Sequence, residues 1–217
     1  MSETQTAVSA RHLEYVADHT RGDDPFLIEL KKAARAAGLP AIWIAPAQAS
    51  LLQILLRLAR AKEVVEVGTL AGYSAIAMAR ALPRGGRVRT IELEPKHADF
   101  AESWIARSDV ADKIEVHRGR GSDVLSRFED ASADAAFLDA DKASYPIYVE
   151  HCLRIVRVGG LIAVDNAFAF GQLFDAQPAD RDVGAIRAFN DQLAVDERLQ
   201  SVIVPLGDGC WVGARLR

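Results

Sequence analysis

The chain has 217 residues and a formal net charge of −4, and half of its residues are hydrophobic. This size and composition predict one globular domain over residues 1–217, and the acidic balance argues against a protein that coats nucleic acid. No apolar run is long enough to cross a bilayer and the N-terminus lacks the form of a signal peptide, so we expect no membrane partner. The two cysteines form no C-x-x-C motif, which favours reduced thiols and a cytoplasmic location.

Residues 1–62 predict a helical cap, of which the polar segment 1–7 is expected to fray. Apolar spacing predicts helices over 8–19, 26–37 and 46–61. Asp24 offers an N-cap and Pro25 a first-turn proline for the second of these helices. The helices are placed to roof a crevice in the following core, and Trp43 between two of them is interpreted as a core anchor.

Residues 63–217 predict an α/β core, because short apolar runs rich in β-branched residues alternate there with helical patterns. Strands are predicted over 64–67, 87–92, 114–117, 135–139 and 161–165, and helices over 72–82, 95–107, 123–128, 144–156 and 183–193. Asp208-Gly209 between two β-rich runs, 201–206 and 210–216, predicts a closing antiparallel hairpin. We therefore expect a mostly parallel, seven-stranded sheet with helices on both faces.

The first predicted strand turns through Gly68 and Gly72 into a helix, which places backbone N–H groups beside an open crevice. The spacing is G-x-x-x-G and not the dinucleotide-binding G-x-G-x-x-G. Glu66 is a carboxylate inside a buried strand, which is costly unless it is paired or meets a ligand. Glu92 ends the second strand, where an acidic residue can hold a ribose diol. The pattern favours a nucleoside without a phosphate chain, such as S-adenosylmethionine, and glycines that only serve packing remain the alternative.

Two neighbouring strands end in carboxylates, Asp139 and Asp165, and Asn166 follows at once. Because the carboxyl ends of parallel strands meet at one edge of a sheet, these oxygens are expected to lie close together. Two carboxylates and an amide oxygen suit Mg²⁺ or Ca²⁺ better than zinc. The alternative is that both aspartates cap the helices that follow them, and the sequence leaves both interpretations open.

Lys142 lies just before a predicted helix, where the helix dipole disfavours a cation. Most lysines are simply solvated, and that is the first interpretation here. Beside a divalent cation, however, the neutral amine would be favoured and could accept a proton. Asp141 is interpreted as a surface or helix-start residue.

Four stretches share their order and spacing with one known family. They are Glu66-Val-Gly-Thr-Leu-Ala-Gly-Tyr-Ser74, Thr90-Ile-Glu92, Phe137-Leu-Asp-Ala-Asp-Lys142 with Tyr145, and Gly159-Gly-Leu-Ile-Ala-Val-Asp-Asn166. They resemble the cation-dependent O-methyltransferases, which include catechol and caffeoyl-coenzyme A O-methyltransferases and bacterial relatives. The resemblance runs from about Ile42 to Gly209 and implies a Rossmann-like class I methyltransferase fold. It also implies S-adenosylmethionine and a divalent metal, Mg²⁺ or else Ca²⁺ or Mn²⁺, as cofactors.

Carried over by position, the resemblance implies a role for each matching residue. The residues that it places around S-adenosylmethionine are Ile44, Glu66, Gly68, Ser74, Glu92, Gly121, Asp139 and Asp141. The implied metal ligands are Asp139, Asp165 and Asn166. The implied catalytic lysine is Lys142. Ile42 belongs to the loop that covers cofactor and substrate. Phe168 and Phe170, together with Lys142, are candidate contacts of a small aromatic, hydroxylated acceptor, although the segment 167–171 departs from the usual tryptophan-containing loop. The resemblance further implies a homodimer.

Two other classes of function compete with this interpretation. A short oxidoreductase that uses NAD(P) is disfavoured because G-x-G-x-x-G and a Tyr-x-x-x-Lys arrangement are missing. A methyltransferase-fold protein that acts on nucleic acid is disfavoured by the acidic composition and by the hard-oxygen cluster at Asp139, Asp165 and Asn166.

Overall fold

The computed structural model describes residues 7–217, so the fraying expected at 1–7 falls almost wholly outside the described residues. The helices are α1 (Ala10–Asp18), α2 (Pro25–Ala36), α3 (Pro46–Leu58), α4 (Tyr73–Ala79), α5 (Pro95–Ile105), α6 (Gly121–Leu125), α7 (Tyr145–Ile155) and α8 (Val183–Ala194). The strands are β1 (Glu63–Val67), β2 (Arg87–Glu92), β3 (Ile114–Arg118), β4 (Ala133–Leu138), β5 (Val156–Val164), β6 (Leu199–Val204) and β7 (Cys210–Arg215). Of the helices over residues 7–217, none combines the length and apolar character needed to span a bilayer.

The seven strands form one sheet in the order β3-β2-β1-β4-β5-β7-β6. The first five strands run parallel, and β7 is antiparallel to both β5 and β6. This confirms the parallel sheet with a closing hairpin that the sequence predicts. The order changes direction at β1 and β4, and such a switch point opens a crevice at the carboxyl ends of the strands.

Alternate residues of each strand enter two hydrophobic cores on opposite faces of the sheet. Val64 lies in the core that α2, α3, α4 and α5 cover, whereas Val65 lies in the core covered by α6, α7 and α8. Near-continuous apolar strands are buried on both faces for this reason. Both cysteines are free and buried, one in each core, and burial raises the pKa of the thiols of Cys152 and Cys210 to about 12.

The helical cap follows the sequence signals closely. Asp24 caps α2, since its side chain accepts a hydrogen bond of 2.9 Å from the backbone N–H of Leu27, and Pro25 occupies the first turn. Helix α1 buries none of its residues and therefore adds nothing to either core.

Several boundaries differ from those expected. Helix α6 begins at Gly121, two residues before the predicted start at 123, and β5 begins at Val156, directly after α7 and five residues before the predicted start at 161. In the closing hairpin, Pro205 and Leu206 lie in the turn and not in the strand. Val156 belongs to β5 because it pairs with Ala133 of β4, a contact between distant segments that local propensity does not encode.

One close approach of the backbone brings the end of β1 beside the end of β4. Gly68 has φ of +103°, and a Cβ there would lie 1.9 Å from the carbonyl oxygen of Asp139. Only glycine permits this packing, because the contact is with backbone and cannot relax by moving a side chain. The turn after β1 is thereby held against the segment that carries Asp139.

We expect Gly68→Ala to destabilise the fold by more than the roughly 1–3 kcal/mol that an unfavourable φ costs alone. Gly85→Ala is the matched control, because Gly85 also has positive φ, +78°, but a Cβ there meets nothing within 4 Å. Urea unfolding of both variants measures the difference. Equal losses in the two variants would contradict the importance of the close approach.

Candidate functional site

A cleft of about 430 Å³ opens at the carboxyl ends of β1, β4 and β5. Its size lies in the usual range for small-molecule sites. The sequence-predicted residues that line it are Ile42, Ile44, Gly68, Ser74, Asp139, Lys142, Asn166 and Phe170. The cleft lining does not include Glu66, Glu92, Gly121, Asp141, Asp165 and Phe168, whose surroundings are described below.

Asp139 and Asp165 follow β4 and β5, which are neighbours in the sheet. Neither caps a helix: the residues that precede the next helical turns are Asp141, Ser144 and Phe168. Burial, with the charge of Asp139 as the next contribution, raises the pKa of Asp165 well above its ordinary value. The structure therefore rules out helix capping as the role of Asp139 and Asp165. It shows instead two carboxylates close enough to repel each other.

Each member of this set keeps its orientation through a specific hydrogen bond. Gln48 Nε2 donates to Asp165 Oδ1 at 2.6 Å, and Lys142 Nζ donates to Asp139 Oδ1 at 3.0 Å. Asn166, with φ of +68°, donates from Nδ2 to Asp208 at 3.1 Å. The amide nitrogen of Asn166 is thus occupied and its oxygen is left for another partner.

Residues 7–217 contain no group of three or more His, Cys, Asp or Glu side chains arranged to hold a metal ion. The candidate set has only two carboxylates, and its third oxygen comes from the amide of Asn166. All three are hard oxygen donors, which suits Mg²⁺, Ca²⁺ or Mn²⁺ and does not suit tight zinc binding.

Lys142 is buried, with only 7% of its surface exposed, so the solvated interpretation is wrong. Its ammonium nitrogen lies 3.0 Å from Asp139 Oδ1 and donates to the hydroxyl of Tyr145 at 2.7 Å. That hydroxyl donates in turn to the carbonyl oxygen of Asp165 at 3.3 Å. The lysine is therefore fixed between the two strand ends that carry the carboxylates, and its side chain lines the cleft.

The Glu66 side chain is fully buried, and because it lies two residues after Val64 in β1 it faces the same side of the sheet, which α4 covers. Its Oε2 accepts a hydrogen bond of 2.5 Å from Thr90, and its Oε1 makes none of ordinary geometry within the described residues. Burial raises the pKa of Glu66 to about 8, against the opposing effect of the Ser74 and Thr90 hydroxyls and with additional increases from Asp139 and Glu92. Glu66 therefore holds its proton at neutral pH.

Glu92, which is also buried, organises the backbone around the β1–α4 turn. Its Oε2 accepts from the backbone N–H groups of Thr69 at 3.2 Å and Leu70 at 2.8 Å, and its Oε1 accepts from Glu94 at 2.9 Å. These bonds fix the carboxylate at the tip of β2, beside the turn that lines the cleft.

Gly121 and Asp141 both lie against the side chain of Tyr148. The Tyr148 hydroxyl donates to the carboxylate of exposed Asp141 at 2.6 Å, and a Cβ at Gly121 would lie 2.7 Å from the Tyr148 ring. Asp141 also precedes the helical turn Lys142–Ser144, as expected of a helix-start residue. Packing against Tyr148 therefore explains the glycine at position 121 without any ligand.

The connection between α2 and α3, and not the helices themselves, covers the cleft. Ile44 is buried whereas Ile42 is 70% exposed. Trp43 packs on the core, as predicted, and also lines the cleft, with the guanidinium of Arg35 4.8 Å from its ring centre. The cover thus combines one anchored residue with one that is free to meet a ligand.

The two phenylalanines after β5 behave differently. Phe168 is half-buried and packs so closely on Gly209 that a Cβ there would lie 2.8 Å from its ring. Phe170 is 42% exposed, has φ of +58° and lines the cleft. Only Phe170 is in a position to contact a molecule in the cleft.

Two residues that support the site, Gln48 and Asp208, are not among those predicted from the sequence. A signal for Gln48 was present: it shares a helix face with Leu52 and Leu56 at intervals of four, and a polar residue on a buried face needs a partner. Asp208 gave no such signal, because an Asp-Gly pair in a hairpin is fully explained by turn formation.

The chain is similar to known proteins over nearly its whole length. A family model described as O-methyltransferase matches residues 17–216. A protein named catechol O-methyltransferase from Niastella koreensis is 36% identical over 195 residues, which cover 88% of each chain. The O-methyltransferase from Bacillus cereus, crystallised in complex with SAH, has a TM-score of 0.83 at 35% identity and covers 93% of this chain and 96% of its own. TomG from Streptomyces achromogenes, an O-methyltransferase in complex with SAM, has a TM-score of 0.82 at 32% identity, with coverages of 94% and 95%.

We expect Glu66→Gln to change how stability depends on pH. The pKa of this carboxyl is about 8 in the folded chain and near its ordinary 4.5 in the unfolded chain. Between these values the unfolded chain releases a proton that the folded chain keeps, so the wild type loses stability as pH rises, by at most about 1.4 kcal/mol per pH unit. Glu66→Gln should lose less stability as pH rises through this range, because glutamine has no proton to release.

Urea unfolding across this pH window, in EDTA, measures the difference in slope. Glu129→Gln is the control, because Glu129 is exposed. Parallel slopes for the wild type and Glu66→Gln would show that Glu66 is ionised in the folded chain.

Proposed function

This chain belongs to the O-methyltransferase family, and we propose that it transfers the methyl group of S-adenosylmethionine to one hydroxyl of a catechol-like acceptor with the help of a divalent cation. The observation that supports this proposal best is the arrangement at the strand ends. Asp139, Asp165 and Asn166 follow two neighbouring strands at one edge of the sheet, and buried Lys142 pairs with Asp139 at 3.0 Å.

We assign the cation to the oxygens of Asp139, Asp165 and Asn166, with Mg²⁺ as the first candidate and Ca²⁺ or Mn²⁺ as the others. The raised pKa of Asp165 supports the assignment, because it reflects burial and repulsion by Asp139 that a dication would offset. When bound, the cation supplies Lewis-acid chemistry that lowers the pKa of a coordinated hydroxyl and orients it.

We assign S-adenosylmethionine to the crevice beside the β1–α4 turn. Gly68 and Ser74 line it, Ile44 belongs to its cover, and Glu92 lies at the tip of β2, where an acidic residue can hold a ribose diol. Buried Glu66 lies behind the turn, and within residues 7–217 its Oε1 has no hydrogen bond of ordinary geometry. The complexes of the similar Bacillus and Streptomyces proteins with SAH and SAM support this cofactor. Gly121 and Asp141 are assigned to the rim through their shared contact with Tyr148.

Lys142 is the proposed general base. Its Nζ is held by Asp139 Oδ1 and the Tyr145 hydroxyl, so it has a fixed position from which to accept the proton of the reacting hydroxyl. The acceptor oxygen forms its bond to the methyl carbon as the sulfur–carbon bond breaks, and the sulfonium charge disappears in the same step. Since no large negative charge builds up, orientation of the two reactants matters more than an oxyanion site.

A small aromatic acceptor agrees with the lining of the cleft. Trp43, Ile42 and the exposed face of Phe170 offer apolar surface, and the carboxylates supply the polar end. The similarity to a protein named catechol O-methyltransferase supports a vicinal diol as the acceptor. We further propose that the chain acts as one catalytic domain in a homodimer, as the family resemblance implies.

The structure gives no support to either of the two competing functions, NAD(P)-dependent oxidoreduction and action on nucleic acid. An NAD(P)-dependent oxidoreductase would need a site for pyrophosphate, whereas the turn after β1 carries the G-x-x-x-G spacing with Glu92 bonded to its backbone N–H groups. Action on nucleic acid would favour a basic surface, and the chain carries a net charge of −4.

Methylation of a catechol in the presence of Mg²⁺ tests the proposal. We expect product with catechol, loss of product in EDTA, recovery on adding Mg²⁺, and little product from a phenol with one hydroxyl, which lacks the second oxygen for the cation. Asp165→Ala should abolish this activity and leave SAH binding, measured by calorimetry, unchanged, whereas Asp175→Ala at an exposed position should match the wild type. Full activity in EDTA, or transfer to the monophenol at the same rate, would contradict the role of the cation.

Lys142→Ala should lower kcat by roughly two to four orders of magnitude, which is the usual effect of losing a general base. Lys142→Arg separates the proton transfer from the charge, because arginine keeps a cation beside Asp139 but cannot accept a proton at neutral pH. Single-turnover kinetics at saturating Mg²⁺ should show both variants equally slow. Activity near that of the wild type in Lys142→Arg would mean that the lysine acts by its charge alone.

A further inference from the structure

The turn between β6 and β7, residues 205–209, reaches the segment that follows β5. The backbone N–H of Ala167 donates to the carbonyl oxygen of Gly209 at 2.9 Å, and that of Phe168 donates to the carbonyl oxygen of Asp208 at 2.8 Å. This segment carries Asn166 at its start. The turn is therefore attached directly to the part of the chain that supplies one candidate metal ligand.

The carboxylate of half-buried Asp208 accepts three hydrogen bonds from this segment. Its Oδ2 accepts from Asn166 Nδ2 at 3.1 Å and from the backbone N–H of Phe170 at 2.8 Å, and its Oδ1 accepts from the backbone N–H of Gly171 at 3.3 Å. All three partners are donors, as an ionised carboxylate requires, because it can only accept.

These bonds determine which end of the Asn166 amide faces the candidate metal position. An amide has a donor end and an acceptor end, and an acceptor-only carboxylate selects the donor end. Asp208 thereby directs the nitrogen of Asn166 toward the turn and leaves its oxygen for a cation. Without this selection the amide could rotate and present its NH₂ group, which repels a cation.

The same carboxylate holds a strained piece of backbone. Asn166, Ala169 and Phe170 all have positive φ, between +53° and +68°, a region that residues other than glycine rarely occupy. Such conformations persist only where the surroundings fix them. The bond from the Phe170 N–H to Asp208 is one such constraint, and it sets the position of the only phenylalanine that lines the cleft.

The turn also supports the second carboxylate of the set. A Cβ on Gly207 would lie 2.1 Å from Gln48 Oε1, so glycine there lets the turn pack directly on the Gln48 amide. Gln48 Oε1 accepts from the backbone N–H of Ala45, and its Nε2 donates to Asp165. The turn thus bonds Asn166 directly through Asp208 and contacts Gln48, the partner of Asp165.

We propose that Asp208 is a positioning residue that presents the Asn166 oxygen to the cation and holds Phe170 against the acceptor. The inference rests on the proposed function, since it assumes a cation at Asp139, Asp165 and Asn166. Outer-shell partners of metal ligands act in this way, by fixing the orientation of the ligand. Asp208 then affects metal affinity and acceptor binding together, and has no effect on the S-adenosylmethionine side of the crevice.

Mn²⁺ binding to the protein alone, followed by electron paramagnetic resonance, tests the inference without any turnover. Asp208→Ala should raise the Mn²⁺ Kd by roughly 10–100-fold, the usual effect of removing an outer-shell partner. At saturating Mg²⁺ the KM for catechol should also rise, while SAH affinity by calorimetry stays the same. Asp175→Ala, which removes an exposed carboxylate from the segment between β5 and α8, is the control and should bind Mn²⁺ as the wild type does.

Asp208→Asn serves as the conservative variant and decides the matter if Asp208→Ala does not fold by circular dichroism. Its single acceptor oxygen can still meet the Asn166 amide, so an intermediate Kd is expected. An unchanged Mn²⁺ Kd in a folded Asp208 variant, or an equal loss of Mn²⁺ and SAH binding, would overturn the inference and leave the proposed function intact. A wild-type protein that binds no Mn²⁺ would instead overturn the metal part of the proposed function, and the inference with it.

Discussion

The site depends on holding two carboxylates, Asp139 and Asp165, near each other against their mutual repulsion. The sheet achieves this through its backbone: the N–H of Asp139 donates to Val67 and the N–H of Asp165 donates to Leu138, each at 2.9 Å. These bonds extend the parallel ladder by one residue past β4 and β5, so the positions of the two charges are set by strand pairing. Lys142 pairs with Asp139 at 3.0 Å, and its charge favours the ionised form of Asp165, which lowers the cost of keeping the two carboxylates together.

The fold, and the position of the candidate residues at the strand ends, could be predicted because both follow from periodicity. Alternating β and α patterns define a parallel sheet, and the carboxyl ends of its strands must share one edge. Asp139, Asp165 and Asn166 were therefore identifiable before any contact was known. The hydrogen bonds that orient them come from Gln48 and Asp208, which lie 117 and 42 residues away in the chain. No local pattern encodes contacts at such separations.

Lys142 shows where a general expectation fails. Lysine is usually solvated because burying its charge is costly. Here the cost is offset by an ion pair with Asp139 and by the Tyr145 hydroxyl, and both partners lie three residues away in the sequence, one on each side. The three-residue spacing of these partners can be read from the sequence. Whether they contact Lys142, however, depends on the sharp turn from β4 into the helical segment Lys142–Ser144. Burial of a charged residue can be inferred only when the path of the chain around it is known.

The two buried thiols have a practical consequence. Alkylating reagents attack the thiolate, and both Cys152 and Cys210 are shielded from solvent with pKa values of about 12. A cysteine introduced at an exposed position such as Ile42 would be the far more nucleophilic thiol. A maleimide fluorophore could then be attached to the cleft cover in the otherwise native sequence, and its emission would report directly on the binding of a molecule in the cleft.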